Sequence, residues 1–381
     1  MMVILSLLFW GLLFLLFYTY AGYPLILYLA AFSRKGSTQD STKVPSVSII
    51  VSAYNEEDVV EEKINNTLSL DYPSELIEVI VVSDASTDRT NDIVERFQDN
   101  KVQLIVNEQR RGKSYSLNRA FDRAKGDILV FTDANAMFDP QTLRKMVRRF
   151  VDRRIGLVTG STLYFSRQKK GNLIQPMGLY TRTERWIKAL ESKIGSCVGA
   201  DGAVFGVRRS LYKPLADADI NDLVTPLATV RQGYRVILDK EVFCQEEHST
   251  DLSKEFWRQV RINNRTIRAV IANLDLVNPF RYPLFSWMLF SHKVLRFLFP
   301  FIFLFSLLIN ILLLFSLLKI YWVTFLGLTA AMSLVGLSAK LEFGPFYLLR
   351  SFGCLNTAIL VAWKNVFTHQ IDVTWEQGSG H

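Results

Sequence analysis

Four apolar runs in the first third of the chain each lead into a set of polar residues able to do chemistry. ILVFTDANA (128–136) delivers a carboxylate, Asp133, and an amide, Asn135, to the tip of one run. The others lead to SAYNEE (52–57), to SDASTD (83–88) and to NEQRRGKS (107–114). Any α/β protein has polar strand ends, so one alone carries little weight. Four converging on a crevice would surround a single ligand with carboxylates, amides, hydroxyls and a lysine. A further concentration lies in RQVRINNRTIR (258–268), where Arg258, Arg261, Arg265 and Arg268 recur at spacings that share one helical face. Planar guanidinium groups suit a diphosphate.

Two nucleotide signatures are excluded. A P-loop requires G-x-x-x-x-G-K-S/T after a first strand, whereas NEQRRGKS has Asn107 in the first glycine's place and follows the third strand. A dinucleotide fingerprint requires G-x-G-x-x-G, and SAYNEED contains no glycine.

The elements that position these residues alternate. SVSIIVS (46–52), IEVIVVS (77–83), VQLIV (102–106) and DILVFT (127–132) are β-branched, bounded by turn or polar residues, and read as buried parallel strands. Between them Val60, Ile64 and Leu68, then Ile93, Val94 and Phe97, then Leu117, Ala120, Phe121 and Ala124 form helical faces. This pattern predicts a doubly wound α/β sheet with ligands at the carboxyl ends of its strands. In STDRT, Asp88 reads as a capping or first-turn acid.

Taken in order, VSIIVSAYNEE, VVSDASTD, RRGKSYSLNRA and FTDANA resemble the N-terminal half of family 2 glycosyltransferases. The membrane-embedded cellulose, chitin, hyaluronan and poly-N-acetylglucosamine synthases are the branch most alike. The resemblance covers about residues 46–270, and the order and spacing of the motifs carry it. It implies a GT-A fold (a Rossmann-like nucleotide-sugar-binding domain), a nucleotide-sugar donor, a UDP-sugar first among them, a divalent cation and inversion at the anomeric carbon.

By the same resemblance, Tyr54 and Glu56 line the base and ribose site, Asp84 contacts the nucleoside, and Lys113 lies near the diphosphate. Asp133 begins the metal-and-phosphate motif, in which Asn135 replaces a second carboxylate. An amide oxygen is still a hard ligand for Mg2+ or Mn2+. It brings no charge, so weaker metal binding is expected; a turn-capping role for Asn135 is the rival. Asp222, in Ile220-Asn221-Asp222, falls at the family's general base, with Asp217 and Asp219 as weaker candidates. Asp201, beside Gly202, falls in the acceptor-side segment, where a tight turn accounts for it equally well. Arg258, Arg261 and Ile262 stand at the Gln-x-x-Arg-Trp motif, with Arg258 and Arg261 expected to act. The Trp is absent.

The chain has 381 residues, 49% hydrophobic, and a mean hydropathy of +0.16, too apolar for an ordinary soluble enzyme. Residues 3–32 carry no charge, and about 20 apolar residues span a bilayer. The expected organisation is an N-terminal transmembrane helix (1–33), a cytoplasmic GT-A domain (34–282), an interfacial helix (283–293), about three transmembrane helices (294–367) and a tail (368–381). Spans are expected near 295–319, 321–339 and 345–365. Arg34 and Lys35, with His292, Lys293 and Arg296, argue by the positive-inside rule for a cytoplasmic domain of a multi-pass protein of the plasma (inner) membrane. The three cysteines lie far apart and show no metal-ligand spacing. Net charge is +8. With membrane spans at both ends, an anionic lipid surface and a phosphorylated substrate fit this charge better than nucleic acid.

The expected activity is transfer of a sugar to a membrane-associated saccharide or lipid-linked acceptor, with a processive long-chain synthase as the alternative. A catalytically inactive membrane scaffold is the reading from another class; a nucleotidyltransferase is disfavoured because no glycine-rich triphosphate loop follows the first strand.

Overall fold

The computed structural model describes residues 1–32, 44–98, 101–165, 179–247, 252–316, 318–338 and 344–371. Arg34, Lys35 and the basic 167–170 segment lie outside them. Eight strands form one sheet: β1 (Val47–Ala53), β2 (Ile77–Ser83), β3 (Val102–Val106), β4 (Ile128–Asp133), β5 (Met137–Phe138), β6 (Ile155–Phe165), β7 (Phe205–Arg208) and β8 (Arg235–Glu247). Their order is β3-β2-β1-β4-β7-β6-β8-β5. The first four strands are parallel, as the sequence predicts. Beyond β4 the sheet is mixed: β7 runs antiparallel to both β4 and β6, and β5 antiparallel to β8. This is the GT-A plan rather than a uniformly parallel sheet.

The β-branched runs form strands because both faces are covered, leaving no place for polar alternation. Ile50, Ile80, Val82 and Phe131 enter one core, with Leu117 and Ala120 of the helix Lys113–Arg123. Ile49, Val51, Val79, Val81 and Val130 enter the other, with Val60 and Ile64 of the helix Val60–Leu68. The first core continues without a break into the apolar helices through Tyr23, Leu27, Met288, Leu289, Phe297 and Ile359. The α/β domain and the apolar helices therefore share one packed interior.

Three helices among the described residues are long and apolar enough to cross a membrane: Met2–Phe32, Pro283–Leu313 and Ile320–Ser338. The first contains a π turn, Tyr18–Gly22, just ahead of Pro24; a proline has no N–H to continue the α ladder, and a locally wider turn accommodates that. The expected interfacial helix at 283–293 is not separate. Pro283–Leu289 runs through a π turn, Phe290–Val294, into Leu295–Leu313. Asn310, buried between spans, bonds the Thr324 hydroxyl of the next helix at 3.0 Å. Gly344–Phe367 also has the length of a span and carries Arg350 and Lys364. It packs against the helix Leu252–Ala272, where Arg268 donates to the carbonyls of Asn365 (3.0 Å) and Gln370 (3.2 Å). Arg268 thus caps a helix C-terminus, where the dipole favours a cation.

The basic residues within the helix Pro283–Leu313 enter a network of side chains. His292 is fully buried and bridges Glu184 and Glu191 through its two ring nitrogens, each at 2.7 Å. Arg296 pairs with Glu184, Lys293 lies 3.7 Å from it, and the Tyr23 hydroxyl donates to Glu191 at 2.5 Å. Glu184 and Glu191 sit on the amphipathic helix Leu179–Ile194 of the α/β domain. Burial alone would raise the Glu184 carboxyl; Arg296, His292 and Lys293 outweigh it and hold it well below the usual range. This network clamps the domain to both spans. Removing one partner of a buried ion pair costs roughly 3–5 kcal/mol. Glu184→Gln is therefore expected to lower the thermal midpoint of the detergent-solubilised protein; an unchanged midpoint would show the network to be dispensable.

Candidate active site

A cavity of about 430 Å³ opens at the carboxyl ends of β1 and β4 and is closed on its far side by the helices Asn221–Arg231 and Leu252–Ala272. Its wall includes Tyr54, Glu56, Lys113, Asp133, Asn135, Asp222, Arg258 and Arg261. Eight of the residues singled out from the sequence thus meet in one space. Asp84 does not line it.

Asp84 is fully buried. Its carboxylate accepts from Asn107 Nδ2 (2.9 Å), the Arg111 N–H (2.9 Å) and the Gly112 N–H (2.8 Å). It therefore shapes the loop after β3. Gly112, at φ 90°, takes a backbone conformation open to glycine and starts the helix Lys113–Arg123. That helix presents its positive N-terminal end and the Lys113 ammonium to the cavity. The loops after β1 and β2 are knit together: Asn55 Oδ1 accepts from the Thr87 N–H (2.8 Å), and the Glu57 N–H donates to Asp88 (3.1 Å). Asp88 also accepts from the Thr90 N–H and hydroxyl at the start of Thr90–Glu95, the capping role its position suggests. Arg110 stacks on the Tyr54 ring, 3.8 Å from its centroid.

Asp133 ends β4 and forms an ion pair with Lys113. Behind the loop lies Lys63, a fully buried lysine that sequence reasoning missed. Its ammonium donates to Thr132 Oγ1 (2.9 Å) and to the Ala136 carbonyl, and sits 4.1 Å from the Phe138 ring centroid. It therefore pins both ends of the Asp-Ala-Asn segment. Complete burial pulls this lysine down to about 7. Its position three residues after Val60, on the inner helical face, was the available signal.

At the acceptor-side end, Asp222 lies in the first turn of its helix, packed under Gly202. Its Oδ1 is shielded from solvent and has no hydrogen-bond partner among the described residues. Burial lifts this carboxyl above its ordinary value, while Lys188, Lys113 and Lys293 pull the other way. The other acids nearby have partners, Asp201 while still on the cavity wall. Asp217 pairs with Arg111, Asp219 accepts from the Ala216 N–H, and Asp201 accepts from Thr162 and the Ala203 N–H within a turn. Within the arginine stripe, Arg265 ties the 217–219 loop to Ser114. Arg258 pairs with Glu255 at 2.8 Å and stays on the cavity wall beside Tyr164. Ile262 lines the cavity where a stacking aromatic was missing from the sequence; Tyr164 is an aromatic on the same wall.

The donor set suits a hard divalent cation in kind. Asp133 and Asn135 offer oxygen ligands, and Glu56 and Glu246 add carboxyls around the same space. Burial, then the neighbouring charge of Asp133, pushes Glu56 up to about 7, and the same two causes push Glu246 up to about 7. Carboxyls that repel one another across a cavity are relieved by a cation between them. Among the described residues no three His, Cys, Asp or Glu side chains already converge as ligands.

Comparison with known proteins agrees with this geometry. Residues 48–213 match the family model for glycosyl transferase family 2. The chain carries a family 2 glycosyltransferase domain. Among curated proteins it is 25% identical over 232 residues to a probable glycosyltransferase, YdaM, of Bacillus subtilis, covering 58% of this chain and 55% of that one. It is 25% identical over 213 residues to the poly-beta-1,6-N-acetyl-D-glucosamine synthase of Staphylococcus aureus, covering 53% and 50%. The matches thus span about half the length of these relatives. Among solved structures, the mannosyltransferase PcManGT of Pyrobaculum calidifontis, in complex with GDP-Man and Mn2+, matches at 22% identity with a TM-score of 0.71, over 96% of this chain and 99% of that one. That likeness shows the fold.

Proposed function

We propose that this glycosyltransferase moves a sugar, with inversion, from a nucleotide-sugar donor to a membrane-associated saccharide or lipid-linked acceptor. The observation that carries the reading is one cavity that gathers the Asp133–Lys113 pair, two arginines, Arg258 and Arg261, and the carboxylate of Asp222, whose Oδ1 has no partner among the described residues. The diphosphate of the donor lies against Lys113, the start of its helix, Arg258 and Arg261. These fixed cations stabilise the charge that builds on the leaving β-phosphate. A divalent cation, when bound, supplies further positive charge there and would be held by Asp133 and Asn135. Asp222 takes the proton of the acceptor hydroxyl as that oxygen attacks the anomeric carbon. The mannosyltransferase neighbour makes a GDP-sugar as natural a donor to test as a UDP-sugar.

The acceptor side adjoins the membrane. Lys188 lines the cavity from the helix Leu179–Ile194, whose Glu184 and Glu191 are bonded to the second span. A lipid-borne acceptor reaching the cavity from the bilayer fits that arrangement. Ile262 offers no flat face to hold a newly added sugar, so transfer of one or a few sugars is favoured over a long processive chain. The domain faces the cytoplasm, where nucleotide sugars are made.

Inverted vesicles from expressing cells, given a panel of labelled UDP- and GDP-sugars, should release nucleotide and yield a short, lipid-extractable product. Right-side-out vesicles should not. Activity only in right-side-out vesicles would overturn the orientation, a high-molecular-weight product the short transfer, and no turnover with any donor the enzymatic reading itself.

A further inference from the structure

Asp133 and Asn135 bring a single negative charge to the cation site, and Lys113 is already paired with it. Lys63 adds a second ammonium behind the same segment. Glu56 offers one further carboxyl in the same space, which with Asp133 only balances the two ammonium groups, so a net negative charge that attracts a divalent ion needs one more acid. The sheet supplies one. β5 pairs antiparallel with β8 in the register Met137–Gln245 and Phe138–Cys244. One step further along, the same register sets Glu246 opposite Ala136, beside Asn135. The Asn135 Nδ2 donates to Glu246 Oε1 at 3.2 Å, and Glu246 lines the cavity. A carboxylate only accepts, so this contact turns the amide nitrogen towards Glu246 and leaves Asn135 Oδ1 to serve as a ligand oxygen.

We propose that Glu246 is the second acidic ligand of the divalent cation, standing in for the carboxylate that Asn135 lacks. The proposal rests on the glycosyltransferase reading and on a metal-assisted donor site. Two carboxylates, Asp133 and Glu246, and one amide, Asn135, then form a hard-oxygen donor set drawn from β4, the following turn and β8. The charge missing from one loop is restored from the neighbouring strand. Glu246 also orients Asn135, so one residue serves both the charge and the geometry of the site.

Mn2+ binding to the full-length, detergent-solubilised protein, followed by electron paramagnetic resonance with UDP or GDP present, tests this without any transfer reaction. Glu246→Gln should weaken Mn2+ binding at least tenfold. Adding Asn135→Asp to that variant should restore it to within about threefold, a rescue that a merely structural role would not give. Mn2+ affinity within twofold of wild type in Glu246→Gln would overturn the proposal. So would wild-type protein that binds no Mn2+ beside either nucleotide, an outcome separable from the vesicle assay for transfer. Should the variants fail to fold, Fe2+ with ascorbate and peroxide on the unsubstituted protein should oxidise the chain near both 133–135 and 246. Oxidation confined to 133–135 would overturn it.

Discussion

Replacing Asp222 by asparagine is expected to lower turnover by roughly 10²–10⁴-fold, the usual contribution of a general base. Affinity for the donor nucleotide should stay within about twofold of wild type. Asp222 lines the cavity without bonding to the Asp133–Lys113 pair, and its shielded Oδ1 has no competing hydrogen bond among the described residues. Asparagine keeps the shape and removes the proton-accepting oxygen. The sign of the pH effect follows. Burial raises the folded-state value of this carboxyl, and a base works only when deprotonated. Wild-type turnover should therefore fall as pH drops through that raised value, with the acid limb above the ordinary aspartate range. The limb assigned to Asp222 should vanish in the variant, leaving a slow, flatter profile. A variant that loses nucleotide affinity in proportion to its activity would make Asp222 a donor ligand or a structural residue instead.

The parallel half of the sheet was legible because its strands are continuous β-branched runs and its helices show clear apolar spacing. Strand ends in such a sheet have only one place to go, so Tyr54, Glu56, Lys113, Asp133 and Asn135 could be assigned to one crevice from the chain alone. The second half was harder to read. Gly160 breaks the apolar rhythm of β6 at a bulge, where its missing side chain lets β8 approach closely. Glu246 was missed with β8 itself. Asp84 shows the opposite difficulty: the sequence marks the residue, but only the fold shows its carboxylate closed over by Asn107, Arg111 and Gly112. The charges of His292, Lys293 and Arg296 were likewise legible, whereas their partners Glu184 and Glu191 lie about a hundred residues earlier in the chain. Hydropathy locates a span; it does not reveal a buried network that joins the span to a distant helix.

Asp133→Asn is expected to act on donor and cation binding, with a different signature. The substitution removes the only charge that the Asp-Ala-Asn segment carries and leaves Lys113 without its ion-pair partner. Two consequences pull in opposite directions. The cation loses a charged oxygen ligand, which weakens metal-dependent binding of the donor diphosphate. Lys113, no longer held by Asp133, is freed to meet the diphosphate directly, which preserves some metal-independent affinity. Nucleoside diphosphate affinity in saturating Mn2+ should therefore fall by about tenfold or more, and the remainder should be insensitive to EDTA. Turnover should fall by roughly 10²–10³-fold, the scale on which removal of a preorganised electrostatic stabiliser acts. Calorimetric titration of UDP and GDP with Mn2+, and again with EDTA, reads both effects on one preparation. Lys113→Met should show the converse: lower affinity in both conditions, with the EDTA response retained. An Asp133→Asn protein whose nucleotide affinity still depends on Mn2+ as strongly as the wild type would remove Asp133 from the cation site and leave Lys113, the helix start and the arginines as the whole of the diphosphate clamp.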